Sequence, residues 1–217
     1  MKNPSLPDNP KGKESAYRLH VLDIVKGFFE NHDSSRIIYG AEVGVKFGFT
    51  SKTLLESMPN LFLYLIDTWE PTPLDHPSIS IWGEKQESRE EKEVQYATTI
   101  VNTRDFVSRT AIFRERSVSA AKKFQLESLD FAYIDADHYY YGVAGDLRSY
   151  WPLVKRGGLF FGHDYDARYD KNGRWGVKNA VDKFCLNRGL EVKTEGIIWI
   201  VHKPIDFVEG ERVGIYL

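Results

Sequence analysis

The sequence predicts an α/β fold: a mostly parallel sheet covered by helices on both faces, with an antiparallel strand near one edge. Three observations predict it. Short apolar runs rich in β-branched and aromatic residues alternate with stretches of helical periodicity. Three of those runs end in acid, at Asp67, at Asp135 and at His163-Asp164. A turn with glycines four apart, Gly44 and Gly48, joins the first run to the helix that follows it. Parallel strands are buried on both faces and need right-handed crossovers, which the intervening helices supply.

The elements follow in order. Residues 1–14 carry three prolines and several charges and read as a flexible tail. From Glu14 to Asn31 the positions Tyr17, Val21, Ile24, Val25 and Phe28 keep helical spacing. Arg36–Val45 is a buried strand, and Ser51–Met58 is a helix stopped by Pro59-Asn60. Leu61–Ile66 is the second strand, completing a βαβ unit. Pro71–Ser80 holds three prolines and is expected to be irregular. Glu84–Arg104 reads as a solvated helix whose apolar residues are Val94, Ala97, Ile100 and Val101. Residues 70–105 together are expected to form a lid inserted in a single domain, 15–217. Phe106–Arg114 contains the third strand or its approach, and Ser117 is expected to cap a short helix to Phe124. Phe131–Ile134 is the fourth strand. A helix from about Gly142 to Tyr150 follows, and Gly157-Gly158 ends its extension. Leu159–Gly162 is the fifth strand, Tyr165–Gly176 a loop, and Val177–Arg188 an amphipathic helix. Glu191–Thr194 and Ile197–Val201 form a terminal antiparallel pair, with a short strand or tail after it.

Composition narrows the partners. The 217 residues are 42% hydrophobic and 28% charged, with a net charge of −2, so no strong field draws in nucleic acid or anionic lipid. Cys185 stands alone, which excludes an intrachain disulfide and a cysteine-based zinc site. The polar start has no signal-peptide core and no stretch approaches a membrane span, so a cytoplasmic protein is expected. No G-x-S-x-G elbow, P-loop or H-E-x-x-H occurs.

The glycine turn points to a ligand. It is not a dinucleotide fingerprint, and Glu42 at the strand end would repel a pyrophosphate. A carboxylate there suits an ammonium or sulfonium group. Asp67, 19 residues beyond Gly48, can accept both hydroxyls of a ribose. A nucleoside with a positive tail and no phosphate fits both acids, and S-adenosylmethionine is the common metabolite of that description.

The second constellation lies at the fourth and fifth strand ends. Asp135 and Asp164 suit a hard divalent ion, Mg²⁺ or alternatively Mn²⁺, with His163 available as a nitrogen ligand. His138 lies three residues on from Asp135 and suits a general base. Asp137 reads as a helix cap, and Asp146 and Arg148 as helix-surface charges. Aromatic and polar residues crowd the expected mouth: Trp69, Trp82, Tyr139, Tyr165, Arg168, Tyr169 and Trp175. Of these, Tyr139, Tyr165, Arg168 and Trp175 are the substrate candidates.

The segments E-V-G-V-K-F-G-F-T-S (42–51), L-I-D-T-W (65–69), I-D-A-D-H-Y-Y-Y-G-V (134–143), G-G-L-F-F-G-H-D-Y (157–165) and G-V-K-N-A-V-D-K-F (176–184) occur in that order. Together the chain resembles class I S-adenosylmethionine-dependent methyltransferases. It is most similar to the metal-dependent group of macrolide-sugar O-methyltransferases and cephalosporin-hydroxylase-type proteins. The resemblance implies a Rossmann-like seven-stranded sheet of order 3-2-1-4-5-7-6. It implies cofactor contacts at Glu42, Gly44, Gly48, Ser51, Asp67 and Trp69, with Lys46 and Thr68 in the same turns, Asp135 close by and Ser117 near the adenine. It further implies metal binding by Asp135 and Asp164, and His138 as the base. His163 stands where the macrolide-sugar enzymes carry glutamate. The implied reaction is Mg²⁺-assisted methylation of a hydroxyl on a sugar or glycosylated product. A catechol-type reaction on a small aromatic diol, an oxygenase on the same fold, and a non-catalytic protein that keeps the pocket are the alternatives. The N-terminal helix is available for a homo-oligomer contact.

Overall fold

The computed structural model describes residues 13–33, 35–80, 83, 85–166 and 176–208. The expected tail, 1–14, falls mostly outside them. Seven strands form one sheet: β1 (Ile38–Val43), β2 (Leu61–Asp67), β3 (Thr110–Arg114), β4 (Leu129–Ile134), β5 (Val154–Gly162), β6 (Lys193–Glu195) and β7 (Ile198–His202). Their order is β3-β2-β1-β4-β5-β7-β6. The first five pair in parallel, and β7 runs antiparallel to both β5 and β6.

The apolar strand runs explain the sheet's burial. Every residue of β4 is buried, and all of β1 except Tyr39. One face packs against α1 (Lys13–Phe29), α2 (Phe49–Ser57) and their neighbours through Val21, Val25, Leu54, Leu63 and Phe131. The other packs against α5 (Ser117–Ala121), α6 (Tyr140–Tyr150) and α7 (Val177–Arg188) through Ala120, Leu147, Phe160 and Val181. Each such aliphatic or aromatic side chain contributes roughly 1.5–3 kcal/mol on burial. At the opposite edge from the acids, Asp130 ties β1 to its neighbours. It accepts from the Tyr39 N–H at 2.8 Å and pairs with Arg36 and Lys155.

Four expectations change. Pro71–Ser80 is not wholly irregular, because a single turn, α3 (Pro77–Ser80), starts on a proline, where the missing N–H is not needed. The long polar stretch gives α4 (Arg89–Thr103), begun by a reciprocal Ser88–Glu91 capping box. It is the crossover helix between β2 and β3, and it takes up the second half of the segment expected to be a lid. Its buried residues are Gln95, Thr98, Thr99 and Thr103, while Ile100 and Val101 face out at 41% and 38% exposure. Threonine can be buried there because its hydroxyl returns to the carbonyl four residues back, from Thr98 to Val94 and from Thr103 to Thr99. A 3₁₀ stretch, Arg104–Arg109, then leads into β3. The Gly157-Gly158 pair lies inside β5 instead of ending a helix. It sits in a bulge: Val154 faces Leu129, but Leu159 faces Phe131.

Candidate active site

The carboxyl ends of β1, β2, β4 and β5 converge on the glycine turn. Gly44 has φ 96°, and a Cβ there would lie 2.0 Å from the Asp135 carbonyl oxygen. The Asp135 N–H donates to the Val43 carbonyl at 2.7 Å. The turn after β1 and the acid after β4 are thus one backbone contact apart. Gly48, at φ 70°, is the N-cap of α2. Four non-glycine residues among those described have positive φ, and three lie at this edge: Lys46, Trp69 and Asp164. Such conformations cluster where a site is held in shape.

Side chains fix the turn from behind. Asp67 accepts from the Val45 and Lys46 N–H groups with Oδ2, at 3.0 and 2.9 Å, and from the Trp69 N–H with Oδ1 at 2.8 Å. The Trp69 indole is buried and donates to the Lys46 carbonyl at 2.8 Å. That bond braces the turn. Thr99 and Asn102 of α4 donate to the Lys46 and Phe47 carbonyls. The Thr68 hydroxyl accepts from the Glu70 N–H. Glu42 is buried, with the Ser51 hydroxyl 2.5 Å from its Oε2. Burial pushes its pKa up to about 8, and Asp135 and Asp67 add to that against the Ser51 bond.

Asp135, His138 and Asp164 form the second half. One ligand atom from each lies within 4.8 Å of the others. His138 Nε2 is 2.7 Å from Asp164 Oδ2, and His163 Nδ1 is 3.1 Å from the same oxygen. His163 is 3.9 Å from Asp135 Oδ1, so it borders the cluster. Burial works against the charge on Asp164, but the two imidazoles outweigh it and hold the carboxyl well below its usual range. Burial likewise opposes charge on His138 and His163, yet Asp164 and Asp135 raise both above an ordinary imidazole. Asp135 is pushed up to about 6, chiefly by burial.

The structure brings in residues that the sequence reading left aside. Tyr17 of α1 donates to Asp135 Oδ2 at 2.8 Å, and Tyr133 of β4 donates to the same oxygen at 2.9 Å. Burial, then the Asp135 charge, keeps the Tyr17 phenol protonated far above its normal range. In the sequence both tyrosines look like packing positions, and nothing distinguishes them. His76, just before α3, reaches Asp137 Oδ2 at 3.3 Å and stands edge-on to Tyr139, 6.0 Å between centroids. Asp137 also accepts from the Tyr139 N–H, turning the chain into α6.

Other placements differ from expectation. Ser117 is the first residue of α5, not its cap. Its hydroxyl donates to Asp146, and its carbonyl accepts from Tyr150. Asp146 is therefore no surface charge: it is 2% exposed, and burial pushes its pKa up to about 7. The Tyr165 hydroxyl is engaged by Asp182 and Lys178 of α7, which ties the loop after β5 to that helix and occupies the group proposed for substrate. Arg168, Trp175, Trp82 and Tyr169 lie outside the described residues. Among the described residues, no helix is long and apolar enough to cross a membrane.

Among curated proteins, none matches the chain by sequence. Solved structures share the fold. A protein from Corynebacterium glutamicum matches with a TM-score of 0.61 at 14% identity, over 91% of this chain and 84% of that one. The O-methyltransferase NovP matches with a TM-score of 0.61 at 14% identity, over 88% and 78%. The N-methyltransferase NodS from Bradyrhizobium japonicum, in complex with S-adenosyl-L-homocysteine, matches with a TM-score of 0.59 at 14% identity, over 92% and 90%. A family model described as a methyltransferase domain matches residues 41–165, which run from β1 through the acids of the turn, β4 and β5. That span is more than half of the chain, and with the sheet order it carries the conclusion that this protein belongs to the methyltransferase domain family, as a class I, S-adenosylmethionine-dependent member.

Proposed function

We propose that the chain transfers a methyl group from S-adenosylmethionine to a hydroxyl oxygen of a sugar or glycosylated small molecule, assisted by Mg²⁺ or Mn²⁺. One observation carries this reading: Asp135, His138 and Asp164 converge one backbone contact from the Glu42 turn. The fold alone does not choose the acceptor atom, since one structural neighbour is named an O-methyltransferase and another an N-methyltransferase. A hydroxyl needs deprotonation before it attacks, and an Asp/His cluster provides for that.

The donor set fits a divalent ion. Asp164 is a buried oxygen donor and Asp135 a partly buried one, and a cation between them would compensate both charges. When bound, the ion lowers the pKa of a coordinated hydroxyl and fixes its oxygen. Asp135 and Asp164 would hold it, with His163 beside them. His138 takes the acceptor proton. It can do so only when Asp164 is engaged elsewhere, because that carboxylate otherwise keeps the imidazole charged. Glu42 faces the positive end of the donor, and Asp67 holds the turn around it. The α3 turn, with His76 just before it bonded to Asp137, covers the site and excludes water.

Thermal shift with S-adenosylhomocysteine, with and without Mg²⁺, followed by labelled methyl transfer to a panel of glycans and phenols, tests the reading. A cofactor shift with label on a glycan hydroxyl supports it. Label on a catechol would move the acceptor class, and no cofactor shift would sink it.

A further inference from the structure

We propose that Tyr17 is a positioning residue of the methyl-transfer centre: its phenol, with that of Tyr133, orients Asp135 so that only one carboxylate oxygen faces the metal and the acceptor. The inference rests on the metal-assisted reading above. A carboxylate oxygen offers two lone pairs, and Asp135 Oδ2 receives two O–H donors, from Tyr17 at 2.8 Å and Tyr133 at 2.9 Å. That oxygen is saturated. Oδ1 is left on the side of His163, 3.9 Å from its Nδ1. Hydrogen bonds of this kind fix the rotation of a ligating carboxylate, and losing one commonly costs about 10–100-fold in metal affinity.

Tyr17 does more than cover the cluster. Its ring packs against His163 at 4.2 Å between centroids, tilted 52°. It thus touches both Asp135 and the position at which this chain departs from the macrolide-sugar pattern. Packing alone does not explain the hydroxyl, because a phenylalanine ring would fill the same space. The helix that carries it is well anchored, with Val21 and Val25 fully buried against the sheet. Tyr17 also lies outside the matched segment 41–165, so this contribution belongs to the helix that precedes the family core.

The full chain and its Tyr17→Phe variant are compared by calorimetry with Mn²⁺ in the presence of S-adenosylhomocysteine, and by calorimetry with S-adenosylhomocysteine alone. Tyr17→Phe keeps the ring on His163 and removes only the hydroxyl. The expected result is a Mn²⁺ affinity roughly ten-fold or more weaker, with S-adenosylhomocysteine affinity within about two-fold of the parent. Equal Mn²⁺ affinity in the two proteins overturns the role of Tyr17 and leaves the metal-assisted function standing. A parent chain that binds S-adenosylhomocysteine but no Mn²⁺ overturns both. If Tyr17→Phe does not fold, 3-fluorotyrosine at position 17 of the intact protein replaces it. Its ¹⁹F resonance must move when Mg²⁺ binds, and a resonance that stays in place overturns the proposal.

Discussion

Removing the carboxylate of Asp67 should unfold the glycine turn before it touches anything else. Asp67 accepts three backbone N–H groups, from Val45, Lys46 and Trp69, two of which belong to residues with positive φ. A hydrogen bond to a charged acceptor contributes roughly 1.5–3 kcal/mol when buried. Asp67 is half-buried, so screening by solvent reduces the sum, and Asp67→Ala should cost about 3 kcal/mol in all. Asp67→Asn offers a finer test. Its amide can present one oxygen, either to the Val45 and Lys46 pair or to Trp69, and its NH₂ then faces a donor. It should cost about 1–2 kcal/mol, between the parent and alanine. Urea-unfolding midpoints of the three proteins, measured without ligand, give the order directly. Either variant lying within about 0.5 kcal/mol of the parent, or asparagine costing as much as alanine, would refute the clamp.

Other substitutions should separate the parts of the edge. Gly44→Ala forces a Cβ to within 2.0 Å of the Asp135 carbonyl at φ 96° and should cost at least about 2 kcal/mol, plus cofactor affinity. Gly48→Ala, 3.1 Å from Thr99 at φ 70°, should cost only about 1 kcal/mol, and equal losses in chemical denaturation would contradict the close approach. Glu42 has a folded pKa near 8 against an ordinary 4.5, so the folded state holds a proton that the unfolded state has lost between those values. Stability from this group is full below 4.5 and declines as pH rises toward 8. Glu42→Gln should flatten that decline and raise the melting temperature at pH 8, while abolishing cofactor binding; a parallel pH profile would count against it. His138→Ala should lower methyl transfer by about 10²-fold or more while leaving S-adenosylhomocysteine affinity unchanged. Unchanged turnover would remove His138 from the base role.

The fold was legible because strand burial writes itself as apolar runs, as FAYI before Asp135 and LFLYLI before Asp67 demonstrate. The acids were legible for the same reason, since each ends such a run. Polar helices were harder. The buried face of α4 is threonine and glutamine, which satisfy their own helix and the turn beneath it, so hydrophobic periodicity points to the wrong side. Asp146 looked solvated because a single acid on an amphipathic helix usually is; its partner, Ser117, lies 29 residues away. Tyr17 was visible as a helix position but not as a site residue. Its partner lies 118 residues further on, and only the packing of α1 on the sheet brings them together. Sequence periodicity reports which face is buried, and it carries nothing about which hydroxyl meets which carboxylate.

Four carboxylates at one sheet edge repel one another, and the protein treats each differently. Asp67 is held by three N–H groups, Asp164 by two imidazoles, and Asp135 by two phenols. Glu42 has a single hydroxyl, from Ser51, among the described residues. Of these, Asp164 falls, while burial takes Asp135 to about 6 and Glu42 to about 8. The least compensated acid is the one at the glycine turn, where a positive ligand gains most by arriving. The next is Asp135, whose remaining oxygen lies on the side of His163. On the proposed function, the glycine-turn acid would meet the cationic small molecule, and Asp135 and Asp164 would meet the metal ion. A protonated Glu42 must ionise to meet an ammonium or sulfonium, so cofactor binding at pH 7 should release a proton. Calorimetry of S-adenosylhomocysteine in buffers of different ionisation enthalpy reads that release, and a binding enthalpy independent of buffer would break the link between Glu42 and the ligand's charge.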